Sequence, residues 1–315
     1  MSNDIIASSI LASSVARVRG FLGPQPSVAS VDMTHVGVTE PHTFFVDPSS
    51  TGPGSDSNSG LDPLNPLLTL QAAIDLCVGG RGDVVICERG GQTVTETVNF
   101  NKSGITVIGR QQGMNPFAQG EFFTLLADAA FVDGPVATIT APCHIEGLGF
   151  ASRDTGATFF SGAAMLIGGA ATADPFGVVV RKCRFPKWGL DNRIGIAVEG
   201  SSNCLIEECD FEGVGADFEA GIYVQGATQN LVIRNNHFRQ CTAAVQFGAF
   251  AGGGPHIIME RNIVEDGLVL DSQANTATGV LVDNFSELAA VSSYDASVAT
   301  LQAQGIQFSG NHYSE

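Results

Sequence analysis

One short pattern returns at nearly constant spacing between Phe176 and Val264, and few folds can accommodate it. Its copies are Val180-Arg181-Lys182-Cys183-Arg184-Phe185, Ile206-Glu207-Glu208-Cys209-Asp210-Phe211, Ile233-Arg234-Asn235-Asn236-His237-Phe238 and Met259-Glu260-Arg261-Asn262-Ile263-Val264. Their first positions are 26, 27 and 26 residues apart. An aliphatic residue opens each copy, Cys or Asn follows three on, and an apolar residue closes it. Fainter copies are Ile145 to Phe150, with Leu148 in the Cys/Asn slot, and Phe308 to Tyr313, with Asn311 there. A second pattern runs in step: Gly195-Ile196-Ala197-Val198, Gly221-Ile222-Tyr223-Val224, Ala244-Val245-Gln246-Phe247 and Gly279-Val280-Leu281-Val282. A fixed period in this range marks a solenoid or an array. Alternating apolar and polar residues, broken by Gly, Asn and Asp, indicate strands and not helices. The period is too short for a four-stranded propeller blade and suits a coil of three short strands and three turns. Cys183, Cys209, Asn236, Asn262 and Asn311 then form an inward ladder along one corner, where stacked Asn bond turn backbone and each other.

On these repeats, residues 43–315 resemble the right-handed parallel β-helix, or pectate-lyase-like, superfamily. The fold this implies is an all-β, single-stranded solenoid with an N-terminal capping helix. The order from Thr43 to Val85 is similar to the opening of many such domains: strand Thr43 to Pro48, a Gly/Ser/Asp loop from Gly52 to Gly60, a helix, then strand Asp83 to Cys87. The helix should run from about Leu70 to Cys77, with Thr69 as N-cap and Gly79-Gly80 as stop. It would plug the first coil, whose open strand edge otherwise invites aggregation. Early, irregular coils are expected around Ile105 to Ile108, Phe122 to Leu126 and Ala137 to Thr140. Met259 to Phe308 spans 49 residues, nearly two coils. The chain ends two residues after Tyr313, so the last coil has no evident plug and a neighbour is expected to cover it.

Residues 1–42 fall outside the repeat. Ile5, Ile6, Ile10, Leu11, Val15 and Val18 suit one face of a helix capped by Ser2 or Asn3 and stopped at Gly20. Arg17 and Arg19 follow the apolar part instead of preceding it, which is the wrong order for a secretory signal. From Gly23 to Pro41 the chain reads as an extended arm. Such a segment is an assembly anchor for a partner or sister subunits, or an arm folded over the coil end.

Charge and cysteine usage narrow the function. The net charge of −17 argues against a nucleic-acid surface, which needs Lys and Arg to displace counterions. No run of 18 apolar residues exists, so no membrane span is expected. Seven Cys, without CxxC pairs or Cys/His clusters, read as free thilos of a protein folded in a reducing cytosol. Asp56, Asn58 and Asp62 lack the Gly and terminal Glu of a calcium loop, so no metal or cofactor is expected.

The resemblance directs attention to the coil flank, where enzymes of this superfamily work on polysaccharides with carboxylates or an Arg from adjacent coils. The turns after the closing Phe carry candidate carboxylates Asp191, Asp217 and Glu219, and candidate carbohydrate contacts Trp188, Arg193 and Arg239. Asp191 with Asp217 or Glu219 would suit the spacing of about 5–9.5 Å that a hydrolase needs. Acidic turns are also ordinary on any acidic solenoid. The Arg-x-Pro-x-x-Arg element of the pectate lyases begins at Arg184-Phe185-Pro186, but Gly189 replaces its second Arg. Polygalacturonase signatures are absent. His237 and His312 read as turn residues, and Glu207 as an outward, solvated charge. The resemblance implies two functions. Because β-helix modules of this kind recur in bacteriophage tail spikes and head decorations, usually as trimers, one is a non-enzymatic structural protein of a bacteriophage virion, a homotrimeric head decoration or tail spike, folded in the host cytoplasm and docked at the virion surface through residues 1–42. The alternative is a depolymerising lyase or hydrolase with its site on the flank.

Overall fold

The computed structural model describes residues 40–49, 52–88, 90–110, 123–128, 131, 134–152, 162–169, 175–186, 194–212, 220–248, 255–265, 267–272, 277–287 and 298–313. The residues expected to form an anchor, Ile5, Ile6, Ile10, Leu11 and Val15, lie outside these, as does almost all of the expected arm. The solenoid unit is Glu40–Glu315.

Among the described residues, three parallel sheets of ten, nine and seven strands run the length of this unit. Sheet 1 begins with Thr43–Val46 and ends with Ile306–Ser309; sheet 2 runs from Gly90–Val94 to His312–Tyr313; sheet 3 runs from Val98–Phe100 to Leu268–Ser272. One complete turn of the chain takes a strand in each, as in Val179–Arg181, Arg184–Pro186 and Ile194–Glu199, before Leu205–Glu207 pairs in register on Val179–Arg181. Each strand therefore bonds to its equivalents about 26 residues before and after.

The period arises from a two-residue corner between sheets 1 and 2. Its first residue is left-handed: Lys182, Glu208, Asn235, Arg261 and Asp283 all have φ between 50° and 54°, and Gly147 and Gly310 occupy the same place. A left-handed residue turns the chain sharply enough for the next side chain to point inward. That side chain is Cys183, Cys209, Asn236, Asn262, Asn284 or Asn311. The Asn236 amide donates to the Ile206 carbonyl (3.0 Å) and Asn262 Oδ1 (3.1 Å), while its Oδ1 accepts from the Cys209 N–H (2.9 Å). Asn262, Asn284 and Asn311 repeat these bonds one coil at a time.

Inside, Phe150, Phe185, Phe211 and Phe238 stack, with centroid separations of 5.6, 4.8 and 4.7 Å. The stack explains the glycine that opens the second pattern. A Cβ on Gly195 would come 2.7 Å from the Phe211 ring, and one on Gly221 would overlap Phe238. One coil on, Val264 is registered on Phe238, and Ala244 on the glycine position. Sheet 3 is buried on both faces: Ala163, Ile194, Ala197 and Tyr223 cluster on the side away from the main core. Such strands read as continuous apolar runs, as Ile194 to Val198 does.

Both ends differ in detail from the sequence reading. At the first, helix α1 (Leu70–Leu76) is capped by the Thr69 hydroxyl and buries Leu70, Ala73 and Ile74, as expected. The edge of Thr43–Val46 is also closed by the loop that leads from it to the helix, through Phe45 N–H to the Gly60 carbonyl and Asp47 N–H to the Leu67 carbonyl. Asp56 is a staple of that loop, accepting from the Leu68 and Thr69 N–H groups and the Thr69 hydroxyl. At the other end a second helix, not expected from the sequence, adds to the core. Helix α2 (Val298–Ala303) packs beside Ile306–Ser309 and buries Leu301 in the core. Gly279-Val280-Leu281-Val282 does not continue the second pattern either. Thr278–Val282 lies in sheet 1, and Leu268–Ser272 takes the sheet 3 place. The missing ladder copy is thus Asn284, hidden because Phe285 points outward, 40% exposed, while Ser286 fills the inward position.

Candidate functional site

The outer face of sheet 2 brings together a set of charged side chains from adjacent coils. Arg184, Asp210 and His237 are successive neighbours across adjacent coils, and Pro186, Glu212, Arg239 and Glu265 form the parallel row two residues on. Period-2 alternation puts both rows outside while Phe185, Phe211 and Phe238 point in. Arg184 bonds Glu212 and lies 3.5 Å from Asp210. Arg239 reaches both oxygens of Asp210, at 3.1 and 2.9 Å, and lies 3.6 Å from Glu212. His237 joins Glu265 at 2.7 Å and faces Asp210 at 3.8 Å. Burial alone would make Arg239 less basic, but Asp210 and Glu212 outweigh it and raise its pKa. Beyond the charges the same row continues with Ile263 and Phe285, both exposed.

A second set lines the outer face of sheet 1. Glu207 is paired with Arg234 (2.7 Å) and Arg181 (3.3 Å), and Arg181 also forks onto Glu208 (3.2 Å to each oxygen). The hydrogen bonds from Arg181 hold the Glu208 carboxyl below its ordinary range. Lys182 reaches Glu146 at 3.1 Å. Glu207 does point outward, but it is only 7% exposed because the two guanidiniums cover it, which corrects the solvated reading. His237 and His312 are corrected too, being strand residues of sheet 2 and not turn residues.

The fold these faces sit on matches known proteins. A family model for the right-handed beta helix region matches residues 167–314. The chain is a right-handed parallel β-helix. Among solved structures, the pectate lyase Pel9A superposes with a TM-score of 0.52 at 14% identity, over 89% of this chain and 78% of that one. Escherichia coli YbhC gives 0.55 at 13% identity, over 93% of this chain and 88% of that one. At such identities the likeness is one of fold. No curated protein matches the sequence.

On this β-helix, Trp188, Asp191, Arg193, Asp217 and Glu219 lie outside the described residues. Arg239, the one flank candidate within them, is held by Asp210 and Glu212. The sequence reading did not bring Arg184, Asp210, Glu212 and Glu265 together, and took Arg184 only as the start of an incomplete lyase element. Their common parity, two residues apart in successive copies, is the signal that would have found them. Chemically, both oxygens of Asp210 and Oε2 of Glu212 are engaged by two guanidiniums. That arrangement braces three coils and offers an incoming sugar ring no unengaged carboxylate at these two positions. Among the described residues no cluster of three or more metal-ligating side chains forms, and no helix is long and apolar enough to cross a membrane.

Proposed function

We propose that this β-helix is a non-enzymatic structural module, a homotrimeric head decoration or tail spike at the surface of a bacteriophage virion, docked through residues 1–42. The observation that carries the structural reading is the closed ion-pair lattice on the flank, in which Asp210, Glu212, Glu207 and Glu208 are each engaged by arginine. The incomplete Arg-x-Pro-x-x-Arg element, with Gly189 in its last place, supports the same reading. The virion setting rests on the resemblance to β-helix modules of bacteriophage spikes and head decorations, and the sequence stripe Ile5, Ile6, Ile10, Leu11 and Val15 suits the docking anchor. Seven free, buried thiols support folding in the host cytoplasm before assembly.

Two measurements test this. Incubation with a panel of acidic polysaccharides should release neither unsaturated products nor new reducing ends. Activity that disappears in Asp217→Asn would establish the depolymerase instead. The double variant Ile6→Asp with Ile10→Asp should abolish incorporation into the parent particle and leave the melting temperature of the β-helix unchanged. Normal incorporation of that variant would refute docking through this stripe.

A further inference from the structure

The corner ladder changes chemistry partway along. From Asn236 to Asn311 each step is joined by an amide-to-amide hydrogen bond, whereas the step from Cys183 to Cys209 joins two thiols. Asp210 N–H donates to the Cys183 carbonyl (3.0 Å), so the two cysteines occupy the same slot in successive coils. Coils in register are about 4.8 Å apart, which falls within the Cα separations a disulfide spans. Cys209 Sγ lies on the side of the Cys183 coil, 3.7 Å from the Val180 carbonyl and 3.3 Å from the Glu207 carbonyl of its own coil, while Cys183 Sγ is 3.3 Å from the Arg181 carbonyl and 3.8 Å from the Ile145 carbonyl.

We propose that Cys183 and Cys209 are an oxidation site, closing to a disulfide that staples two neighbouring coils when the folded protein meets a small-molecule disulfide oxidant. The Cys209 thiol is buried against Cys183, and both effects oppose its ionisation, so closure is slow while the corner stays shut. Lys182 and Glu208, the residues that precede the two cysteines at the corner, are exposed, so an oxidant reaches the thiols from this corner when it opens. On opening, one thiolate attacks the oxidant's disulfide and releases a first small thiol. The second protein thiolate then attacks the mixed disulfide, forming the Cys183–Cys209 bond and releasing a second small thiol. Two S–H bonds and one small-molecule S–S bond are consumed, and the protein loses two hydrogens. Nothing in this step depends on what the β-helix docks to.

The test uses the full chain, purified under reducing conditions, desalted and exposed to oxidised glutathione without denaturant. Intact mass should fall by two hydrogens, non-reducing peptide maps should link Cys183 to Cys209, and the melting temperature should rise. In Cys209→Ala neither the mass loss nor the rise should occur, and Cys204→Ala should behave as the unaltered protein. Seven thiols still alkylatable after the exposure, a link between any other pair, or a link that forms only in denaturant would each overturn the proposal.

Discussion

Asn236 shows how much one side chain carries in this architecture. It satisfies the Cys209 N–H, the Ile206 carbonyl and Asn262 Oδ1 together, all of them away from water. Asn236→Leu should therefore destabilise the fold by roughly 1–3 kcal/mol for the buried groups left unpaired, read as a lower urea midpoint. Cys209→Ser should cost less, because a hydroxyl can still donate to the Val180 carbonyl. An unchanged midpoint in Asn236→Leu would mean that the ladder contributes nothing. The glycines facing the phenylalanine stack make a second test of packing. Gly221→Ala should cost about 1–3 kcal/mol through overlap with Phe238. Adding Phe238→Val should recover part of that loss, since the next coil already combines Ala244 with Val264 in the corresponding places. Additive losses in the double variant would show that the two positions do not share space.

At the scale of an element, the junction beneath helix α1 is held by one carboxylate. Asp83 accepts from the N–H groups of His42 and Val78 at 2.9 and 2.8 Å and from Arg81 at 2.5 and 2.6 Å. It thereby ties the entry strand, the end of the helix and the next strand together. Burial pushes the Asp83 carboxyl up, but the donors from Arg81, His42 and Val78 outweigh it and hold it below its ordinary value. A carboxyl depressed in the folded state contributes stability above its unfolded pKa, about 3.9, and loses that contribution as pH falls through the folded value. The stability gap between the unaltered protein and Asp83→Asn should thus be constant above about pH 5 and shrink as pH falls below about 4. Urea titrations at a series of pH values measure it directly. A gap that does not change with pH would show that the ion pair is not what Asp83 supplies.

Across the whole molecule, stability is passed from coil to coil. Each coil touches chiefly its two neighbours, and each sheet pairs a strand only with its equivalents one coil away. In such a stack the ends matter most, because only there do edge strands and core lack a covering coil. Helix α1 with its loop performs that role at the beginning, and helix α2 contributes Leu301 at the other end. The flank is braced separately by ion pairs spanning coils, which leaves the surface ordered without adding to the core.

What the sequence determined alone was the repeat in its regular copies. Apolar alternation, the Cys or Asn three residues into each copy, and Thr69 ahead of an apolar helix are local signals, and each predicted its element. The ladder could be read through Asn311, because a short corner admits few inward residues. Tertiary structure decided what depended on register and parity. Phe285 carries the expected residue type in the wrong direction, so the Asn284 copy could be seen only once sheet pairing showed which side chains face inward. Thr278–Val282 lies in sheet 1 although an apolar run with a leading glycine fits either wall, and only turn length decides between them. The pairing of Arg184, Asp210, Glu212 and Arg239 likewise joins residues up to 29 apart in the chain. Charge type and alternation say that each lies outside, but which carboxylate meets which guanidinium is set by the stacking of one coil on the next.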